Sequence, residues 1–243
     1  MVCAQHLAAS NTACRPTVGV IMPALDEEAS VGATVRQVPR SVVDEVIVVD
    51  NGSTDRTAEV ARLAGARVVH EPQRGYGAAC WAGVQATESD VLVFLDADGS
   101  FDGAEIPTLI EPLCTGQADL VLGSRSLGQV TPDAMPAHQR FGNQLTASLL
   151  QTLFGMQVSD LGPFRAIGRS KLLALNMSEM SFGWPTEMMV KAARMGYRVV
   201  EVPVTYRCRI GGRSKVSGNL AGSIKAGWHI MRVVLRHAGY RRG

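Results

Sequence analysis

Two phosphate-binding signatures are missing from this sequence. It has no GxGxxG run and no GxxxxGK[ST] run, which sets aside dinucleotide-dependent oxidoreductases and P-loop nucleotide hydrolases. No stretch reaches the roughly 18 uninterrupted apolar residues of a membrane-crossing helix. Cysteines are few, odd in number and scattered (Cys3, Cys14, Cys80, Cys114, Cys208), with no pair at metal-ligand spacing. Neither a zinc site nor a disulfide framework is therefore expected, and a reducing compartment fits. Residues 1–16 lack both a basic start and a sustained apolar core, and read as a loose extension instead of a secretion signal. Acidic residues nearly vanish toward the end. Residues 191–243 carry 12 of the chain's 24 Lys and Arg against Glu201 alone, although the net charge of the chain is only +2. That asymmetry directs the tail to a phosphate-rich ligand or an anionic membrane surface.

What is present suits a globular protein: 243 residues, 46% hydrophobic and 19% charged, long enough to bury a real core. Apolar strand-like runs at 17–22, 45–50, 67–70, 91–95, 118–123, 164–167 and 198–202 alternate with helical patterns at 29–38, 55–64, 78–86 (after a glycine-bearing loop at 71–77), 106–114, 138–154 and 184–195. Pro23 and Pro203 are expected to end strands, and 127–137 to be a polar loop. Such alternation predicts an α/β fold with a Rossmann-like, mainly parallel sheet flanked by helices. Right-handed crossovers gather the strand ends on one edge. With no internal repeat, the expected organisation is one catalytic domain over 17–215 and a basic amphipathic helix and tail over 216–243. In that helix Leu220, Ile224, Trp228, Met231 and Leu235 step by 4, 4, 3 and 4, with Lys225, His229, Arg232 and Arg236 one residue over. The pattern fits a helix lying in an anionic membrane interface, and equally an ordinary helix packed on the domain.

Three strand ends carry acids: Asp26 with Glu27, Asp50, and Asp96 with Asp98. On an extended backbone residues two apart point the same way, so Asp96 and Asp98 can reach one hard cation, Mg2+ or Mn2+. Taken alone the pair reads just as well as an acidic turn. Arg74 and Arg125 stand in loops expected at the same edge, where either suits a diphosphate. Arg207, Arg209, Arg213 and Lys215 crowd around Gly211 and Gly212, a cationic loop fit for a phosphate or else a solvated basic turn. His70 and His138 have no paired ligand and read as structural. Trp81 and Trp184 read as core in preference to stacking on a base or sugar.

The segments MPALDEEASV (22–31), VIVVDNGSTDRTAEVA (46–61), RGYGAACWAG (74–83), VLVFLDADGS (91–100), LVLGSR (120–125), SDLGPFRA (159–166), FGWPTEM (182–188) and YRCRIGGRSK (206–215) carry a resemblance. Together and in this order they resemble family-2 glycosyltransferases of the GT-A fold, especially the dolichyl- and polyprenyl-phosphate sugar synthases. The resemblance implies that Pro23, Ala24, Asp26, Glu27 and Asp50 hold the nucleotide, with Arg74 and Asp96 beside them. It implies Mg2+ or Mn2+ on Asp96 and Asp98. Arg125, Arg207, Arg209, Arg213, Ser214 and Lys215 would meet the acceptor phosphate. Asp98, Arg125, Asp160 and Glu187 are the candidate catalytic residues, Asp160 or Glu187 serving as base if the acceptor is a hydroxyl. Asn51 departs from the Asp usual in such relatives, and Ser100 stands where the polyprenyl-phosphate synthases commonly have Gln. The metal's first shell could thus hold two side chains and finish with diphosphate and water. The implied activity is metal-dependent, inverting transfer of a hexose from GDP-mannose or UDP-glucose to a polyprenyl or dolichyl phosphate. The enzyme would be cytoplasmic and peripherally associated with an anionic membrane, with a membrane protein as a candidate partner and no nucleic acid. The alternatives are a transferase for a soluble hydroxyl acceptor, and a non-enzymatic module that binds nucleotide sugar or phospholipid.

Overall fold

A computed structural model describes residues 15–211 and 220–238, with backbone alone for 220–226 and 238. Arg213, Ser214 and Lys215, and residues 1–14 of the expected extension, lie outside the described residues. In chain order the elements are β1 (Val18–Ala24), α1 (Val31–Gln37), β2 (Glu45–Asp50), α2 (Thr57–Leu63), β3 (Arg67–His70), α3 (Tyr76–Gln85) and β4 (Val91–Phe94). There follow α4 (Ile106–Cys114), β5 (Leu120–Val130), α5 (Ala137–Phe154), β6 (Arg165–Gly168), α6 (Arg169–Ala174), α7 (Trp184–Arg194), β7 (Val199–Tyr206) and α8 (Leu220–Ala238). The strands form one sheet in the order β3-β2-β1-β4-β6-β5-β7.

The apolar runs become central strands because both sheet faces are covered. Side chains alternate between faces with period two. Val18, Val20 and Met22 of β1 and Val91 and Val93 of β4 join a core with Val31 and Val35 of α1 and Ile106 and Leu109 of α4. Ile21, Ile47, Leu92 and Phe94 face the other way, onto Cys80 of α3, Trp184 and Met188 of α7, and Val234 of α8. Trp184 is core, edge-on to Phe94 at 6.3 Å between ring centroids.

The sheet is mainly parallel, but β6 runs antiparallel to both β4 and β5. Neither proline ends its strand. Pro23 pairs with Val49 of β2. The carbonyl of Ile21, two residues earlier and on the same side of the strand, accepts from the Leu95 N–H, and the β1–β4 pairing stops at Ile21 and Phe94. The N–H that Pro23 lacks would therefore face a side with no remaining partner. Pro203 lies in β7 at the sheet's edge, where a proline costs little. The expected loop from 127 is instead the far half of β5, which rejoins β7 at Gln129 after an irregularity beginning at Ser124. A Cβ on Gly128 would come within 2.1 Å of the Val204 carbonyl oxygen, so only glycine permits that approach. The irregularity re-aims Arg125.

Glycine also sets the junction between α3 and residues 179–181. The Ala78 N–H donates to the Met180 carbonyl at 3.0 Å, and a Cβ on Gly77 would lie 2.3 Å from the Glu179 carbonyl oxygen and 2.7 Å from the Met180 carbonyl carbon. Backbone cannot yield as a side-chain tip can. Gly77→Ala is expected to cost about 1–3 kcal/mol, a fall of several degrees in Tm at about 2–4 °C per kcal/mol. A melt unchanged within a degree would contradict this junction.

Candidate active site

Val91–Phe94 is buried on both faces, and Leu95 after it is fully buried too. The strand ends at Phe94, so Asp96 and Asp98 occupy the turn beyond it and not the extended backbone expected. The turn still brings both to one cavity. Ala97 between them is buried, and its carbonyl accepts from the Thr34 hydroxyl of α1 at 3.2 Å. Gly99 closes the turn in the left-handed region at φ 73°. The Ser100 N–H donates to Asp98 Oδ1 at 2.9 Å and orients that carboxylate. Ser100 itself is buried.

The Tyr76 hydroxyl, at the start of α3, donates to Asp96 Oδ1 at 3.1 Å. Burial, then the neighbouring Asp98 charge, pushes Asp96 up to about 7. Burial also raises the Tyr76 hydroxyl, which stays protonated as a donor. Among the described residues no group of three His, Cys, Asp or Glu could hold a metal ion. A cation here would rely on Asp96 and Asp98 and find its other ligands elsewhere. The chemistry fits. Paired carboxylates on a buried edge favour a hard cation, and one cationic group already sits against Asp98. Arg209 Nη2 lies 3.2 Å from Asp98 Oδ2 and 2.7 Å from Glu27 Oε1. Glu27 is in turn fixed by the Ser30 hydroxyl at 3.0 Å.

Arg125 is held differently. Asp160, fully buried, accepts from Arg125 Nε at 2.8 Å, from Nη2 at 2.6 Å and from its backbone N–H at 2.7 Å. Burial opposes the guanidinium charge, but Asp160 outweighs it and raises the Arg125 pKa. Asp160 is positioned by Glu201 of β7, which takes the Asp160 N–H at 3.0 Å and the Ser159 N–H at 2.8 Å. The guanidinium lies over the Tyr206 ring at 5.1 Å.

The structure thus brings Pro23, Ala24, Glu27, Asp96, Asp98, Arg125 and Arg209 around one cavity of about 590 Å3. Other sequence-derived candidates stand behind it. Asp26, at φ 52°, accepts from the Thr54 N–H at 2.8 Å. Asp50 accepts from the Ser53 N–H at 2.9 Å and faces His70 Nδ1 at 3.0 Å. The two acids tie residues 53 and 54 to the ends of β1 and β2. Asn51 uses its whole amide on residues 71–75, bonding the Glu71 and Gln73 carbonyls and the Gly75 N–H. Arg74 is exposed beside Gly52, and Arg207 pairs with Asp102 at 2.8 Å. Glu187 is buried in α7. Burial alone would raise its pKa, but Ser178, Lys191 and two backbone N–H groups hold it below the usual value.

Sequence reasoning missed the wall opposite the acids. His138, Gln139, Gly142, Asn143, Leu145 and Thr146 of α5 line the cavity, with Leu161, Phe182 and, from α8, Gly227, Ile230 and Met231. His138 had read as structural because it has no partner in sequence. Only tertiary placement brings the first turn of α5 to the cavity that Arg125 also lines.

With this acidic edge and fixed arginine, the mainly parallel seven-stranded sheet flanked by helices has the GT-A glycosyltransferase fold. The chain belongs to glycosyl transferase family 2, whose model matches residues 19–175. It is 43% identical to an uncharacterized glycosyltransferase of Mycobacterium tuberculosis over 209 residues, 86% of this chain and 94% of that one. It is 34% identical to a dolichyl-phosphate hexose transferase of Haloferax volcanii, over 90% of this chain and 94% of the relative. Among solved structures it resembles glucosyl-3-phosphoglycerate synthase of M. tuberculosis in complex with Mn2+, UDP-glucose and phosphoglyceric acid. That match has a TM-score of 0.75 at 25% identity and covers 94% of this chain and 81% of the other.

An aspartate in an unfolded chain titrates near 3.9, and folding carries Asp96 up to about 7. Between those values folding takes up a proton. The metal-free protein therefore loses stability as pH rises through that window and bears the whole penalty above it. In the presence of a chelator, Asp96→Asn is expected to raise Tm at pH 8, with the gain fading toward pH 4. An equal gain at both pH values would show that Asp96 titrates normally.

Proposed function

We propose that this chain transfers a hexose from a nucleotide sugar, GDP-mannose or UDP-glucose, to a polyprenyl or dolichyl phosphate, as a peripheral enzyme at a membrane surface. One observation carries the reading: the lining of the single cavity divides between the acids Glu27, Asp96 and Asp98 with Arg125, and apolar side chains, Leu145, Leu161, Phe182, Ile230 and Met231. Apolar side chains are also exposed on α5 and α8. Phe141 of α5 is 68% exposed and Trp228 of α8 66%, and Leu153 and Leu235 are exposed as well. An amphiphile with a phosphate head and an isoprenoid tail matches that division. Arg140, Arg232 and Arg236, exposed on the same two helices, suit an anionic surface. Among the described residues no helix is long and apolar enough to cross a membrane.

The donor's diphosphate would leave the anomeric carbon while the acceptor attacks from the opposite face. Mg2+ or Mn2+ on Asp96 and Asp98 would supply charge against the developing diphosphate anion. Glu27 and the loops tied by Asp26 and Asp50 position the nucleotide. Arg125, rigid on Asp160, presents its remaining N–H groups to the acceptor phosphate. A phosphate is already ionised at neutral pH and needs no general base. That accords with Asp160 spending both oxygens on Arg125 and Glu187 being sequestered by Lys191 and Ser178.

A second reading has a soluble acceptor, as in the phosphoglycerate-bound neighbour. The polar side chains His138, Gln139 and Asn143, which line the same cavity as Arg125, favour it. The two separate in one assay: purified protein, Mn2+, each nucleotide sugar, and polyprenyl phosphate in liposomes or 3-phosphoglycerate in solution. A lipid-linked sugar is expected, with Asp98→Ala lowering turnover by about a hundredfold or more. A glycosylated phosphoglycerate alone would install the soluble reading, and no product from any donor would sink both.

A further inference from the structure

Arg209 makes contacts that a passive acceptor-phosphate ligand does not require. Its guanidinium bridges Glu27 at 2.7 Å and Asp98 at 3.2 Å. Asp98 is one of the two carboxylates suited to the metal, so the guanidinium occupies charge that a divalent ion would need. The backbone around Arg209 is laid along the acidic turn itself. The Arg207 N–H donates to the Ser100 carbonyl at 2.8 Å and the Ile210 N–H to the Asp98 carbonyl at 3.1 Å. The Ile210 side chain sits where a Cβ on Gly99 would come within 2.4 Å of it. The strap fastens at its backbone and positions one arginine.

The side-chain contact is incomplete, however. Arg209 Nε is buried with no hydrogen-bond partner, whereas Arg125 places Nε and Nη2 on one carboxylate. An orphaned buried donor carries a penalty that a new acceptor would remove. The two cations differ accordingly. Arg125 is locked to an aspartate with no other duty, and Arg209 is lodged on groups wanted by another ligand. A divalent ion and a guanidinium cannot share the same Asp98 oxygen. Like charges that close repel strongly where water is largely excluded.

We propose that Arg209 is the resident counter-cation of the metal site. It neutralises Asp98 and Glu27 before the metal binds, yields Asp98 to the divalent ion, and is then free to meet an incoming diphosphate. Metal binding and nucleotide binding are thereby coupled through this residue, and the coupling is reciprocal. The metal and diphosphate parts rest on the proposed activity; the competition at Asp98 rests on the contacts alone.

The test is calorimetric titration with Mn2+ alone, and with UDP and GDP in saturating Mn2+, on the wild type, R209Q, R209K and R67Q. R209Q is expected to bind Mn2+ alone about fivefold more tightly or better, since a positive charge some 4 Å from the ion is gone. With Mn2+ present it is expected to bind the better nucleoside diphosphate about tenfold more weakly, since the Arg209 contact is missing. R209K retains the charge and should stay within about twofold of wild type for Mn2+ alone, which keeps the test decisive if R209Q folds poorly. R67Q removes an equal charge from β3, one paired with Glu45 at 2.9 Å and outside the cavity lining, and should change neither affinity. Unchanged or weaker Mn2+ binding in R209Q would overturn the competition, as would the same gain in R67Q or in R209K. Undiminished diphosphate affinity in Mn2+-loaded R209Q would overturn the second contact. None of these readouts needs an acceptor or turnover, so a failure to glycosylate lipid phosphate would leave this result standing.

Discussion

The crowding of negative charge at one buried sheet edge governs this molecule. Glu27, Asp96 and Asp98 line a single cavity at the ends of β1 and β4. Burial and the Asp98 charge lift Asp96 well above an ordinary carboxylate. Such an edge is unfavourable without positive charge. Much of the surrounding architecture answers it: the Tyr76 hydroxyl bonded to Asp96, the Ser100 N–H bonded to Asp98, and Arg209 spanning Asp98 and Glu27. Deeper in, buried Arg165 of β6 bonds the Pro185 carbonyl at 2.8 Å and ties the turn after Asp160 to the start of α7. Its own pKa is lowered to about 10 by burial, with Tyr76 and other neighbours opposing that fall. A site that keeps such charge in readiness is held together by the fold and is poorly stabilised by its own contacts.

Most of the sheet is legible in the sequence because its signals are local. EVIVVD gives β2 with its ends as read, and RVVH gives β3. Where the reading departs from the structure, nonlocal geometry decides. Pro23 and Pro203 read as strand terminators, yet each sits where the sheet needs no N–H from it. Gln129 and Val130 read as loop, yet pair with Thr205 and Tyr206 across a bulge that Gly128 permits. The reversed direction of β6 has no sequence signature at all. It follows from the chain returning after α5, which pattern alone does not reveal.

The candidate site divides along the same line. Asp96, Asp98, Glu27 and Arg125 were recognisable from acidic strand ends and from an arginine after an apolar run. The wall from α5 and α8 was not, because His138, Gln139, Asn143, Ile230 and Met231 lie in segments whose order in the chain says nothing about their proximity. The apolar stripe of α8 was legible as a pattern, but not its division of labour. Val233 and Val234 are buried in the domain while Trp228 and Leu235 face outward. The packed reading therefore holds at Val233 and Val234, which lie off the stripe read in the sequence, while Trp228 and Leu235 of that stripe are exposed.

The two arginines show why charge alone underdetermines function. Arg125 and Arg209 look equivalent in sequence, each a cation near a strand end. Their second partners separate them. Arg125 has Asp160, held by Glu201, so its position costs nothing further when a phosphate arrives; its entropy is already spent. Arg209 has only acids that belong to the site, together with an Nε that nothing satisfies. A fixed cation selects a ligand by geometry, and a displaceable one makes the binding of one ligand depend on another. Having both within one cavity would give the proposed acceptor phosphate a rigid reference and the departing diphosphate a conditional one. That asymmetry matches the proposed reaction, in which one phosphate group attacks and another departs.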